Sequence, residues 1–161
     1  MPAPVDIRNV ISALANVDAE LMSLFQHRFK VKNGLSGHSL GNIVLAAMNS
    51  ITGNFYEAVE KVSKMLNVKG NIYPIANESI TLHAKMDDGT VVSGESNIPV
   101  KNKRIKRVFL TPNDIKPMPE IIQSMMEADL IVISPGSLYT SILPNLIIED
   151  VIEALNKTKA S

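Results

Sequence analysis

Cysteine is absent from all 161 residues. That absence excludes disulfides, thiolate metal sites and a cysteine nucleophile together. Aromatic residues make up only 4% of the chain, and Lys+Arg 16 balance Asp+Glu 16, so no excess of charge draws it towards nucleic acid. No uninterrupted apolar run approaches the roughly 18 residues of a membrane span. The opening "MPAPVDIRNV" lacks the basic-then-apolar order of a signal peptide. These absences predict a cytoplasmic protein with no membrane span and no nucleic-acid partner. Internal repeats, low-complexity segments and dividing linkers are missing as well. What remains is a 45% hydrophobic chain of a length that suits one well-buried domain.

Helical spacing dominates the first part. Ile7, Val10, Ile11 and Leu14 recur at that spacing from Asp6, and Leu21, Leu24 and Phe25 follow Asp18, a candidate cap. A glycine-containing interval, "KNGLSGHSLGN", leads into Ile43, Val44, Ala46, Ala47 and Ile51. After Thr52-Gly53-Asn54, "FYEAVEKVSKMLN" sets Phe55, Ala58, Val59, Val62 and Leu66 on one face. Two helical pairs are therefore expected. The period then changes to two at Ile80, Leu82, Ala84 and Met86, and Asp88-Gly89 predicts a hairpin turn into "TVVSGES". "KRIKRVFLTP" reads as a strand, "PMPEIIQSMMEADL" as a helix opened by proline, and "LIVIS" as a buried strand. A sheet containing 130–134 together with the hairpin is the expectation, in an α/β fold.

Three stretches carry candidate chemistry. In "SPGSLYTS" the proposed strand breaks on Pro135-Gly136 and spends Ser137, Tyr139, Thr140 and Ser141 before an apolar pattern resumes. Ligands of open α/β sheets lie at such strand ends, and hydroxyls with free amides hold phosphate oxygens. The plainer reading is a turn with Ser137 as a helix cap. In "SGHSLGN", Ser36, Gly37, His38, Gly41 and Asn42 precede a helix, but the pattern is neither a Walker loop nor GxGxxG. His38 either meets phosphate and carries a proton, or braces the loop. In "DIRN", Asp6, Arg8 and Asn9 stand at a helix start, where Arg8 offers a planar fork for phosphate. The plainer reading makes Asp6 an N-cap and Arg8 a solvated side chain.

Two further features read as structural. "KNKRIKR" suits a charged sheet edge. Met118, Met125 and Met126 suit core filling on a helix. His27 and His83 lack partners at ligand spacing, so no metal site is expected.

Taken in order, "DIRNVISALA", "LFQHRF", "LSGHSLGNIVLAAM", "DDGTVVSGES", "KRVFLTP" and "ADLIVISPGSLYTSILPNL" resemble the bacterial gluconeogenesis factor family, similar in fold to 2-phospho-L-lactate transferase. The resemblance implies a three-layer, Rossmann-like α/β domain over residues 1–161, lacking the usual glycine-rich first strand. The chain is similar to the middle of a family member, as a fragment or short form of it. The implied function is regulatory: binding a UDP-sugar of the UDP-N-acetylglucosamine type, linked to cell-wall precursor supply and cell shape on gluconeogenic carbon sources. Alternatives are a phospho-group transferase of the 2-phospho-L-lactate transferase type and a non-catalytic interaction module. Carried over by position, Asp6, Arg8, Asn9, Ser36, Gly37, His38, Gly41, Asn42, Pro135, Gly136, Ser137, Tyr139, Thr140, Ser141 and Asn145 line one ligand cleft. A missing first strand leaves a sheet edge open, which predicts a homo-oligomer; a regulatory protein partner is also implied.

Overall fold

The computed structural model describes residues 4–30, 34–101 and 103–161, the side chains of residues 4–6 excepted. Its residues cluster into two compact units, one ending at Ser79 and the other starting at Ile80.

The first unit is built from four helices: α1 (Pro4–Leu14), α2 (Ala19–Gln26), α3 (Leu40–Thr52) and α4 (Phe55–Met65). Their starts follow from side chains that satisfy otherwise orphaned amides. Asp18 accepts from the Leu21 N–H at 2.8 Å, Ser39 from Asn42 at 3.3 Å, and Asn54 from Glu57 at 3.1 Å. Gly53 ends α3 at φ 69°, a left-handed cap that a side chain would strain. The apolar faces meet in a core of Ile11, Phe25, Leu45, Phe55, Val59, Val62, Leu66 and Ile72. Helix α1 starts at Pro4, ahead of the start expected at Asp6, so Asp6 lies inside the helix and is not its cap.

The second unit holds an antiparallel sheet of β1 (Thr81–Met86), β2 (Val91–Ser93) and β3 (Ile105–Thr111), ordered β2-β1-β3. Alternation decides its faces. Leu82, Ala84, Met86, Val92 and Leu110 are buried, while His83 pairs across to Phe109 on the opposite face with rings 4.9 Å apart. The β1–β2 turn is held by Asp88, whose carboxylate accepts from the Thr90 N–H at 3.0 Å and from its hydroxyl at 2.6 Å. Gly89 takes φ 85° there, which is why Asp-Gly marks the turn. Strand β3 is an edge of the described sheet, and its Lys106 and Arg107 are exposed, as a charged edge should be. Helices α5 (Pro119–Glu127), α6 (Leu143–Leu146) and α7 (Glu149–Lys157) complete the unit, with Val151 and Ala154 of α7 buried.

Two expectations are corrected here. The α/β class holds, but residues 130–134 form no strand: among the described residues no neighbouring strand takes up their backbone groups. Extended chain becomes sheet only through pairing. Nor do the methionines of α5 all fill a core, since Met126 is 43% exposed and no residue of that helix is fully buried.

Candidate functional site

Arg8 is only 9% exposed, contrary to the reading of it as a solvated side chain. It sits on α1 three positions before the fully buried Ile11, so the i,i+3 spacing sets it on the inward side of the helix. One guanidinium nitrogen donates to the Asn9 Oδ1 at 2.6 Å. Its Nε is buried and has no partner among the described residues. On the same face, one turn later, the Ser12 hydroxyl is also buried without a partner, and so is the Asn42 Oδ1 at the start of α3. Helices α1 and α3 pack against each other. Unpaired buried polar atoms are uncommon, and a guanidinium is the costliest of these to leave unmet. Ser12 carried no sequence signal beyond its i+4 spacing from Arg8. The side chain of Asp6 lies outside the described residues.

Within the stretch Ser36–Asn42, residues 37–39 form one arm of a short antiparallel ribbon that leads into α3. The Phe29 N–H donates to the His38 carbonyl at 3.0 Å, Gly37 N–H to Phe29 at 3.0 Å, and Leu40 N–H to His27 at 2.8 Å. Arg28 adds a guanidinium bond to the Gly37 carbonyl. These bonds brace the loop and leave Ser36, Gly37 and His38 exposed. Gly37 has φ 81° with open space around it. Gly41 is buried: a Cβ there would meet the Phe25 ring at 2.8 Å and the Phe25 carbonyl oxygen at 2.9 Å. Ser39, fully buried, supplies the cap of α3. The amides of Leu40 and Asn42 are thus already committed to protein acceptors.

In the second unit, Pro135 to Tyr139 are exposed and lead into a widened, π-type turn, Leu138–Ile142. Such turns are rare and recur at functional sites. Ser137 accepts at its carbonyl from Ser141 at 2.9 Å and from Ile142 at 3.1 Å, while its hydroxyl makes no capping bond. Thr140 and Ser141 are half-buried, and Asn145 closes back on the turn by donating to the Ser141 carbonyl at 2.8 Å. A Cβ on Gly136 would stand 3.3 Å from the Ser141 Cβ, so this glycine lets the chain fold tightly over the turn. Elsewhere in this unit, a cleft of about 560 Å³ runs along Arg107, Phe109, Lys116 and Glu149 and contains none of the candidate ligand residues named from the sequence.

Among the described residues, no three His, Asp or Glu side chains gather as a metal site, and no helix is long and apolar enough to cross a membrane. What the two units offer is buried positive charge with unmet donors in one, and an exposed hydroxyl loop in the other. Both are binding chemistry; a serine held by a histidine occurs instead on the sheet, where Ser93 Oγ of β2 lies 2.8 Å from His83 Nδ1 of β1.

Comparison with known proteins gives a consistent result. The family model described as 2-phospho-L-lactate transferase CofD matches residues 1–161. The gluconeogenesis factor of Bacillus subtilis (strain 168) is 58% identical over 160 residues, covering 99% of this chain and 50% of that protein. That of Halalkalibacterium halodurans is 55% identical, with the same coverage. A crystal structure of a Bacillus halodurans protein superposes with a TM-score of 0.94 at 55% identity, covering 98% of this chain and 50% of that one. The chain spans about half the length of the relatives it matches.

Proposed function

Because the chain belongs to the 2-phospho-L-lactate transferase CofD family, we propose that it carries part of a gluconeogenesis-factor-type regulator that binds a nucleotide sugar of the UDP-N-acetylglucosamine type. The observation that carries this reading is Arg8: a nine-tenths buried guanidinium whose Nε has no partner among the described residues. An anion is the group that would satisfy it, and a diphosphate offers paired oxygens that a planar guanidinium binds bidentately. The hydroxyls of Ser137, Thr140 and Ser141 suit phosphate or sugar oxygens in the same ligand class. Regulation, acting through a protein partner on cell-wall precursor supply and cell shape in the cytoplasm, is the role that fits a binder of this ligand class.

Titration calorimetry with UDP-N-acetylglucosamine tests this. Arg8→Ala is expected to weaken binding by about 1 to 3 kcal/mol, the worth of a charge-assisted hydrogen bond. Unchanged affinity in this variant would place the ligand elsewhere.

A transferase is the second reading, favoured by the family model's own description. It predicts turnover when the protein is given a guanosine diphosphate phospholactyl donor and a deazaflavin acceptor. Ligand binding without turnover favours the regulator.

A further inference from the structure

The face of the sheet opposite its buried side carries charge of one sign. Register places Lys85 of β1 directly opposite Arg107 of β3, and His83 of β1 between Ser93 of β2 and Phe109 of β3. Lys85, Arg107 and Ser93 are exposed, while His83 and Phe109 are half-buried. Like charges directly opposite each other across a sheet cost stability. Among the described residues, neither Lys85 nor Arg107 has a carboxylate partner. Protection of an edge does not account for the pair, because β1 is the central strand. No residue on this face of the three strands carries a carboxylate. Beside the cations lie planar groups: the His83 and Phe109 rings stack with centroids 4.9 Å apart and planes 13° apart, and the Arg107 guanidinium carbon stands 5.7 Å from the Phe109 centroid. A guanidinium held over a ring keeps its edge N–H groups free for an acceptor.

We propose that this face binds single-stranded nucleic acid, its phosphates meeting Lys85 and Arg107 and its bases stacking on the group formed by His83, Phe109 and Arg107. Charge complementarity calls for an anionic partner, and the rings call for bases. Single strands are held by cations that follow the backbone together with planar side chains on which unpaired bases stack. An acidic peptide would meet the cations but leave the rings unused. Lys106, exposed beside Arg107, extends the positive strip along β3. The contact between Ser93 Oγ and His83 Nδ1 holds the imidazole plane in place. A balanced total of charges, the ground for expecting no nucleic-acid partner, does not fix how charges are arranged on one face.

Fluorescence anisotropy at low salt, with a labelled mixed-sequence RNA of about 12 nucleotides, provides the test. The expected result is binding that weakens as salt rises, with duplex RNA of the same length bound at least about tenfold more weakly. Lys85→Gln combined with Arg107→Gln should lower the salt slope by about 1.4, because each single-strand phosphate contact contributes about 0.7. Phe109→Leu, which removes the ring but keeps an apolar side chain, should weaken binding about tenfold, and Phe109→Tyr should retain it. Lys61→Gln combined with Lys69→Gln, the same change of charge at exposed sites in the first unit, should leave affinity and slope unchanged. Since Lys85 and Arg107 are exposed, circular dichroism of their double variant should match the unmodified chain. Four results would each overturn the proposal: no binding at low salt, duplex bound as tightly as single strand, affinity unaffected by Phe109→Leu or by the Lys85 and Arg107 substitutions, or displacement of the RNA by polyglutamate at equal charge, which would assign the face to an acidic protein.

Discussion

Replacing Gly41 with alanine adds one methyl group, and the structure fixes what that methyl meets. Its Cβ would lie 2.8 Å from two carbons of the Phe25 ring and 2.9 Å from the Phe25 carbonyl oxygen. The ring cannot swing aside freely, because Phe25 is 4% exposed and belongs to the core that includes Ile11 and Leu45. The carbonyl cannot move without shifting α2 against α3. Overpacking of this kind costs about 1 to 3 kcal/mol. Alanine's helix propensity returns at most about 1 kcal/mol, so a net loss of up to about 2 kcal/mol is expected, equivalent to up to about 8 °C in Tm for a chain of this size. Gly34→Ala is the matched control: nothing lies within 4 Å of its Cβ and no positive φ strains it, so it should be neutral. Urea denaturation followed by far-ultraviolet circular dichroism reads both. A Gly41→Ala midpoint equal to or above that of the unmodified protein would refute the packing argument.

Other perturbations follow from the same geometry. Leu45→Ala, at a fully buried site, should cost about 2 to 5 kcal/mol by the same assay, and a loss below 1 kcal/mol would mean that the core collapses around the gap. Asn54→Ala removes the acceptor for the Glu57 amide and should cost about 1 kcal/mol, whereas Asn54→Asp should keep most of it; equal losses would deny the capping role. Bonds from Lys103 first, then from the Thr90 hydroxyl and amide, hold the Asp88 carboxyl far below the usual carboxylate range. A depressed folded value means that this turn's contribution is fully present above the ordinary carboxylate pKa of about 3.9 and is lost as pH falls below it. In an NMR acid titration, Asp88 should therefore be the last aspartate to protonate, and an ordinary midpoint there would contradict the bonds described. Arg8→Lys, which keeps charge but loses the fork, should bind UDP-N-acetylglucosamine more weakly than the unmodified chain; equal affinity would show that charge alone is read.

The local code was strong where a short stretch of chain settles its own conformation. Asp18 and Asp88-Gly89 each act on amides within three residues of themselves, so their cap and turn could be read directly from the order of side chains. The helical periods of 7–14 and 55–66, and the alternation of 80–86, likewise carry their own geometry. The ordered blocks from "DIRN" to "SILPNL" were enough to indicate the family, because a motif series survives whatever surrounds it.

Burial and pairing are not local, and there the tertiary structure decided. Nothing in "DIRN" says that Arg8 turns into the unit while Asn9 stays exposed; packing of α1 on its neighbours does that. The resemblance sets Gly41 among the ligand-lining residues; that the Phe25 ring lies close against it, a contact between residues sixteen apart, is visible only in the structure. "LIVIS" has every property of a buried strand except a neighbour. A strand's hydrogen bonds are made by another piece of chain, so composition can specify the need for pairing but only the assembled fold can supply the partner.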